Sequence, residues 1–197
     1  MEKLTLSSCI HCALPLSLCL CESQCLPDLP INCRLILHDR EIQKASSTGR
    51  LLKHLHICSA DVWQRRRNPA QQILSEGQKQ YYLLHPAGEP LGTHPILPNS
   101  EFVLLDGTWQ QCHKMLKQDP FLAALPRIQI PAPGPSQLYL RRNQQVDGLS
   151  TLETLISLLE CLHYPELSAQ LTLLFNEFQR RHAVARNQGY YNLCTPL

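Results

Sequence analysis

The chain has 197 residues, enough for one well-buried domain with a small appendage and too few for two full domains. Lysine and arginine outnumber aspartate and glutamate only 18 to 16, so no overall field marks the surface for nucleic acid or membrane, and any RNA-binding face must be local. No apolar run approaches membrane-spanning length, and the N-terminal stretch does not read as an export signal, being broken by Cys9, His11, Cys12 and Pro15 and carrying bulky Leu18 before Cys19; the expectation is a soluble, cytoplasmic protein.

Five of the ten cysteines fall in the first 25 residues. The run CIHCALPLSLCLC places Cys9, Cys12, Cys19 and Cys21 as two close pairs joined by a short loop. A close pair lets two thiolates converge on one ion from a tight turn, and two pairs supply the four-sulfur set of structural zinc. The second pair has one intervening residue where two are commoner, so His11 or Cys25 could replace a ligand. A reduced metal-free cluster, a redox pair and an iron–sulfur cluster are the alternatives. Residues 1–30 are therefore read as a zinc-binding cysteine module and 31–197 as the main domain. A closed four-sulfur site staples structure and has no open position for catalysis.

Beyond the module, strands and helices alternate. NCRLILH (32–38) reads as a buried strand, and 46–57 as a helix with Leu51, Leu52 and Leu55 on one face and a Ser or Thr cap. A second strand is expected over 60–65, a short helix over 68–76 with Pro69 in its first turn, and a third strand over 80–85. Gly and Pro mark 86–99 as a loop. EFVLL (101–105) is the fourth strand, a helix runs from Thr108 or Trp109 to Lys117, RIQI (127–130) is the fifth strand, and helices over 151–163 and 166–182 close the chain. The fold class is α/β, a mostly parallel sheet with helices on both faces.

Ligands of such sheets bind beyond the carboxyl ends of the strands. Asp106-Gly107-Thr108-Trp109 sits at such an end: Gly107 allows the turn, and Asp106 or Thr108 can cap the helix. His38-Asp39-Arg40-Glu41 follows the first strand, and His85-Pro86-Ala87-Gly88-Glu89 the third. Ser150-Thr151-Leu152-Glu153 is a capping box, which accounts for Ser150 and Glu153 without any ligand. Arg65-Arg66-Arg67, Arg141-Arg142 and Arg180-Arg181 are the basic clusters, and a paired guanidinium can hold carboxylate or phosphate bidentately.

Asp106-Gly107-Thr108-Trp109, with Lys114-Met115 in the same helix, resembles the signature of the DTW-domain tRNA-uridine aminocarboxypropyltransferases. The resemblance runs from about residue 9 to 182 and takes in the cysteine module, 38–49 with Glu41 and Thr48, Leu83-Leu84-His85-Pro86, Tyr139-Leu140-Arg141, and Leu149 to Glu153. Departures are Asp39 where proline is expected, Ser47 where asparagine is usual, and Cys112 where a small alanine-like residue is common.

The resemblance implies a SPOUT-like domain with a trefoil knot in its C-terminal half, working as a monomer. It also implies S-adenosylmethionine as donor of a 3-amino-3-carboxypropyl group to N3 of a tRNA uridine, in the variable loop in bacterial members. Donor-binding positions on this reading are His38, Glu41, Thr48, Leu84, His85, Pro86, Leu105, Asp106, Gly107, Tyr139, Arg141, Leu149, Ser150 and Thr151. Arg141 or Arg142 would take the donor carboxylate and Glu41 its ammonium. The catalytic set is Asp106, Thr108 and Trp109, with Asp106 accepting the N3 proton or orienting the base and Trp109 stacking on a ring or lying in the core. Arg65, Arg66, Arg67 and Arg142 are the RNA-binding candidates. The rivals are a SPOUT-type RNA methyltransferase and a non-enzymatic zinc-containing RNA-binding module.

Overall fold

Continuous apolar runs become strands covered on both faces. In a computed structural model that describes residues 8–21, 28–75, 77–131, 134, 136–138 and 148–187, the strands β1 (Asn32–His38), β2 (Ser59–Trp63), β3 (Gln80–Pro90), β4 (Ser100–Asp106) and β5 (Arg127–Gln129) form one sheet. Every described pairing within this sheet is parallel, in the order β2-β1-β4-β3-β5. The helices are α1 (Thr48–His54), α2 (Ala70–Ile73), α3 (Trp109–Gln118), α4 (Pro120–Ala124), α5 (Thr151–Cys161) and α6 (Pro165–Asn187). No described helix is long and apolar enough to cross a membrane.

Alternation along the strands divides the core in two. Leu35, Leu37, Phe102 and Leu104 point to one face, where they pack with Leu51 and Leu52 of α1, Leu155 and Leu158 of α5, and Leu174 and Phe178 of α6. Ile36, Leu83 and Val103 point to the other, against Trp63, Ile73 of α2, Met115 of α3 and Leu122 of α4. Cys9, Cys12, Leu14 and Leu20 share the first of these cores, so the cysteine module is packed onto the α1/α5/α6 face.

Several boundaries differ from expectation: α2 is shorter than 68–76 and α6 runs past 182, and three further differences have a local reason. α1 and α5 stop early because His56 (φ 53°) and His163 (φ 64°) adopt the left-handed conformation just past their ends. At α1 the Ile57 N–H reaches Leu52 C=O and His56 N–H reaches Lys53 C=O; at α5 Tyr164 reaches Leu159 and His163 reaches Glu160. Both are Schellman closures made without glycine, which is why composition hides them. The stretch 86–90, expected as loop, extends β3: residues 85–88 bulge out, and Glu89 and Pro90 return to pair with Ile128 and Gln129 of β5. Gly88 is required there, because a Cβ would lie 2.6 Å from the Ile128 backbone. The short α4 is an addition to the expected elements. Asp119 starts it by accepting the Phe121 and Leu122 amides through Oδ1, while its Oδ2 accepts Trp63 Nε1–H and the Ala70 amide at 2.8 Å each.

β1 connects outward to β2, whereas β4 connects across β3 to β5, so the strand order reverses between β1 and β4. The carboxyl ends of these two strands are where such a sheet offers a ligand crevice. The knot expected in the C-terminal half concerns a region in which 139–147 lie outside the described residues.

Candidate functional site

β4 ends in Asp106 on the α1/α5 face, and its carboxylate is fully buried. Ser47, the N-cap of α1, donates its hydroxyl to Oδ2 at 2.9 Å while accepting the Arg50 amide. Thr151, first residue of α5, donates to Oδ1 at 2.5 Å. Gly49 lies so close that a Cβ would fall 2.4 Å from Asp106 Cγ. One buried carboxyl group thus fastens the starts of two helices to the end of the central strand, each oxygen holding a hydroxyl. In this geometry Asp106 ties the two helix starts together and has no solvent-exposed oxygen. Thr48, between Ser47 and Gly49, is fully buried, and its hydroxyl oxygen meets no hydrogen-bond partner among the described residues.

The capping box at α5 is present, and it reaches further than its sequence signature. Glu153 accepts the Ser150 amide at 2.7 Å, and it also accepts Ser136 Oγ–H and the Gln137 amide at 2.6 Å each. Segment 136–138 is thereby tied to the start of α5, next to half-buried Leu149. Tyr139, Arg141 and Arg142 lie outside the described residues.

On the α3 side, Thr108 and not Asp106 caps the helix: its hydroxyl accepts the Gln111 amide, and Gln111 Oε1 accepts the Thr108 amide. Gly107 has no left-handed φ; its role is clearance, since a Cβ would meet Cys112 Sγ and Gln111 Cβ at 3.1 Å. Trp109 is 48 % exposed, which removes the core alternative for this ring. The His85 ring lies 6.0 Å from it, with Nδ1 accepting the Ala87 amide, so the remaining proton of the neutral ring sits on Nε2 as a donor. Burial, with Arg127 and His113 nearby, lowers the His85 pKa and keeps the ring neutral at neutral pH. Leu84 is buried beneath this corner, Leu105 half-buried and Pro86 exposed.

His38 closes β1 on the α3 face, its ring 5.9 Å from Trp63. Its Nδ1 faces both the Arg40 amide (3.2 Å) and Asp39 Oδ1 (2.8 Å). Burial lowers its pKa, with Asp39 opposing; a ring with bare Nδ1 accepts from the amide, and one with a proton on Nδ1 donates to Asp39. Glu41 is fully buried and paired with Lys44. Because Asp106 is registered with Leu37, His38 and Asp106 project to opposite faces. The strand-end residues therefore make neighbouring clusters, not one.

Among the arginines, Arg65, Arg66 and Arg67 are exposed. Arg180 and Arg181 are engaged: both bond Glu177, and Arg181 also donates to the carbonyls of Leu18 and Cys19. Glu177, three and four residues earlier, is the sequence signal for this local pairing.

In the cysteine module the four Sγ atoms of Cys9, Cys12, Cys19 and Cys21 lie within 4.8 Å of one another. Cys9–Cys21 and Cys12–Cys19 are 3.9 and 3.8 Å apart. A tetrahedron with metal–sulfur bonds of about 2.3 Å has edges of about 3.8 Å, so the set fits zinc. Burial raises the Cys9 pKa, but the amides of Cys12 and His11 outweigh it and bring it to about 7. Burial and neighbouring thiols push Cys19 and Cys21 up, a cost that a dication in their midst removes. His11 is turned away to His54, with Nδ1–Nδ1 3.1 Å. Arg50 holds the carbonyls of His11 and Ile10 at 2.8 and 2.6 Å. The module is thus anchored by Arg50 of α1 and Arg181 of α6.

The chain matches the DTW domain over residues 6–183. Among curated proteins it is similar to tRNA-uridine aminocarboxypropyltransferase 2 of Drosophila melanogaster, at 27% identity over 178 residues, covering 84% of this chain and 70% of that protein. No solved structure gives a significant match.

Proposed function

The chain belongs to the DTW-domain family, and from that premise we propose that it transfers the 3-amino-3-carboxypropyl group of S-adenosylmethionine to N3 of a tRNA uridine, in the variable loop. The observation that carries this reading is the extent of the match, which spans the cysteine module and all three strand ends at once. The name of the Drosophila relative supports the reaction class.

In this reaction the bond from sulfur to the propyl carbon breaks, its electrons staying on sulfur as a neutral thioether, and a bond from N3 to that carbon forms. The N3 proton is lost to solvent or to a base. The protein's task is then to hold the propyl carbon, and not the methyl, in line with N3. A SPOUT-like donor pocket is supported on the α1/α5 side by the buried Thr48 hydroxyl, a polar atom suited to a donor group, and by the Asp106 clamp that fixes the two helix starts around it. Leu84, Gly107, Leu149 and Ser150 complete that pocket, Leu105 backs it from the α3 side of β4, Glu41 takes the donor ammonium and Arg141 its carboxylate. Asp106 works here as a positioning residue. His85 offers Nε2–H to the uracil carbonyl that gains negative charge as N3 loses its proton, with Trp109 as the stacking surface. Zinc would be held by Cys9, Cys12, Cys19 and Cys21 and would supply structure only.

The test is incubation with unmodified tRNA and S-adenosylmethionine followed by nucleoside mass analysis. Aminocarboxypropyl-uridine is the expected product; methyluridine, or no change across a full tRNA set, refutes the proposal.

A further inference from the structure

Two cavities on the α3 face share Arg65, Lys114 and Gln118 and so form one groove, about 380 Å³ beside β1 and β2 and about 670 Å³ along α3. Arg65, Arg66 and Arg67 stand on a turn closed by two backbone hydrogen bonds between Gln64 and Asn68, at 3.1 and 2.9 Å, and braced by Asn68 Nδ2–H to the Val62 carbonyl. Facing them, His113, Lys114 and Lys117 form a stripe along α3, and Arg40 closes the β1 side. Asp39, the one carboxylate among the described lining residues, lies against His38.

What these cations have in common is that they are unused. The Arg34, Arg50, Arg180 and Arg181 guanidinium groups all bond to carboxylates or carbonyls. Among the described residues, the side chains of Arg40, Arg65, Arg66, Arg67, Lys114 and Lys117 make no hydrogen bond or ion pair. A structural role would have given at least some of them partners. Spread over a helix length of about 10 Å from Gln110 to Lys117, they also form a trough and not a pocket for one small anion. The trough runs toward Trp109, which precedes Gln110 and lies one turn from His113, so an exposed ring sits at the end of a line of cations. Cations tracking a backbone beside an aromatic face are the recurring pattern of single-strand recognition.

We propose that this groove, from Arg40 and Arg65–Arg67 past Lys114 to Lys117, holds the phosphates of the tRNA strand that carries the target uridine, delivering the base to Trp109. The inference rests on tRNA being the substrate and adds the surface that grips it. Each phosphate neutralised by a groove cation releases counter-ions, which makes affinity salt-dependent.

The experiment measures binding of an unmodified tRNA transcript across a salt series, for the wild-type protein, the triple variant Arg65→Ala/Arg66→Ala/Arg67→Ala, the pair Lys114→Ala/Lys117→Ala, and the control Arg180→Ala on the opposite face. For every phosphate that a variant no longer neutralises, the slope of log affinity against log salt should flatten by roughly 0.7–0.9, so the triple variant should give up about 2 in slope and at least about tenfold in affinity at moderate salt. Melting temperatures should not move, because the groove cations hold nothing in the fold. Wild-type affinity and slope in both groove variants overturn the inference even where transfer proceeds. Binding to phosphatidylserine vesicles but not to tRNA also overturns it. Groove-dependent tRNA binding without any donor-derived product sustains the groove and refutes the proposed reaction.

Discussion

Replacing Asp106 by asparagine separates positioning from proton transfer. The substitution keeps the shape, so Gly49 is not newly crowded, but one oxygen that now accepts a hydroxyl becomes an amide nitrogen that cannot. Either Ser47 or Thr151 loses its acceptor, and the other loses a charged one. A hydrogen bond to a charged group contributes about 1.5–3 kcal/mol and a neutral one about 1, so the variant should lose about 2 kcal/mol of stability, or roughly 6 °C in a chain of this size. Loosened helix starts should slow transfer by at most about the same energy, near 30-fold. A general base would behave otherwise: its removal costs about 10²–10⁴-fold in rate and abolishes the acid limb of the pH profile. The assay is a thermal melt together with a pH series of tRNA labelling under saturating substrates. An unchanged melting temperature with a drop of more than about 10³-fold and a flat acid limb refutes the positioning role. A Ser47→Ala/Asp106→Asn cycle should show coupling, because both residues share one bond.

Elemental analysis of the purified protein should find one zinc per chain; Cys12→Ser should abolish it and lower the melting temperature, and a purified protein without metal, or a variant lacking all four cysteines that melts like the wild type, would sink the metal assignment. Asp119→Ala leaves the Trp63 indole and the Ala70 amide without their acceptor, so about 3 kcal/mol, or near 10 °C, should be lost, with red-shifted emission from buried Trp63; a loss under about 1 kcal/mol contradicts the hub. His182 is buried against Phe178, and burial, aided by Arg186 and Arg50, lowers its pKa to about 4. The unfolded chain binds that proton first, so stability should be intact above about pH 6.5 and fall by roughly 3 kcal/mol as pH drops toward 4; denaturant titrations of His182→Gln should show a flatter response over that window.

The strands and the two capped helices can be read from the sequence because each rests on a local pattern: a run such as Arg34 to Leu37 between turn residues, or Ser150 with Glu153 three residues on. The cysteine cluster is legible for the same reason. What stays hidden depends on residues far apart in the chain. Nothing around Asp106 announces that Ser47 and Thr151 will occupy its two oxygens, from 59 residues before and 45 after. Asp119 reads as a helix end, yet Trp63 and Ala70 make it a hub. Arg65 and Lys117 meet across one groove only because β2 and α3 are brought to the same side of the sheet. Arg181 errs the other way: its sequence suggests an available cation, and Glu177 and the cysteine module claim it.

On the proposed reading, the parity of the central strands gives the two substrates separate approaches. Leu37 and Asp106 are register partners, so the next residue of β1, His38, must face away from Asp106. The side toward α1 and α5 carries the buried Thr48 hydroxyl and the Asp106 clamp; the side toward α3 carries the exposed cations and Trp109. On the proposed reading these are the donor side and the RNA side. The turn that passes directly from one to the other is Gly107-Thr108, where a Cβ on Gly107 would press on Gln111 and Cys112 at 3.1 Å. A donor held behind this turn and a base delivered in front of it would meet over the end of β4, and any change that lifts the turn would lengthen the distance between the propyl carbon and N3 without touching either ligand. On that reading a signature of so few residues would govern the reaction: Asp106 fixes the turn from behind, Thr108 caps it in front, and Trp109 would begin the surface on which the base arrives.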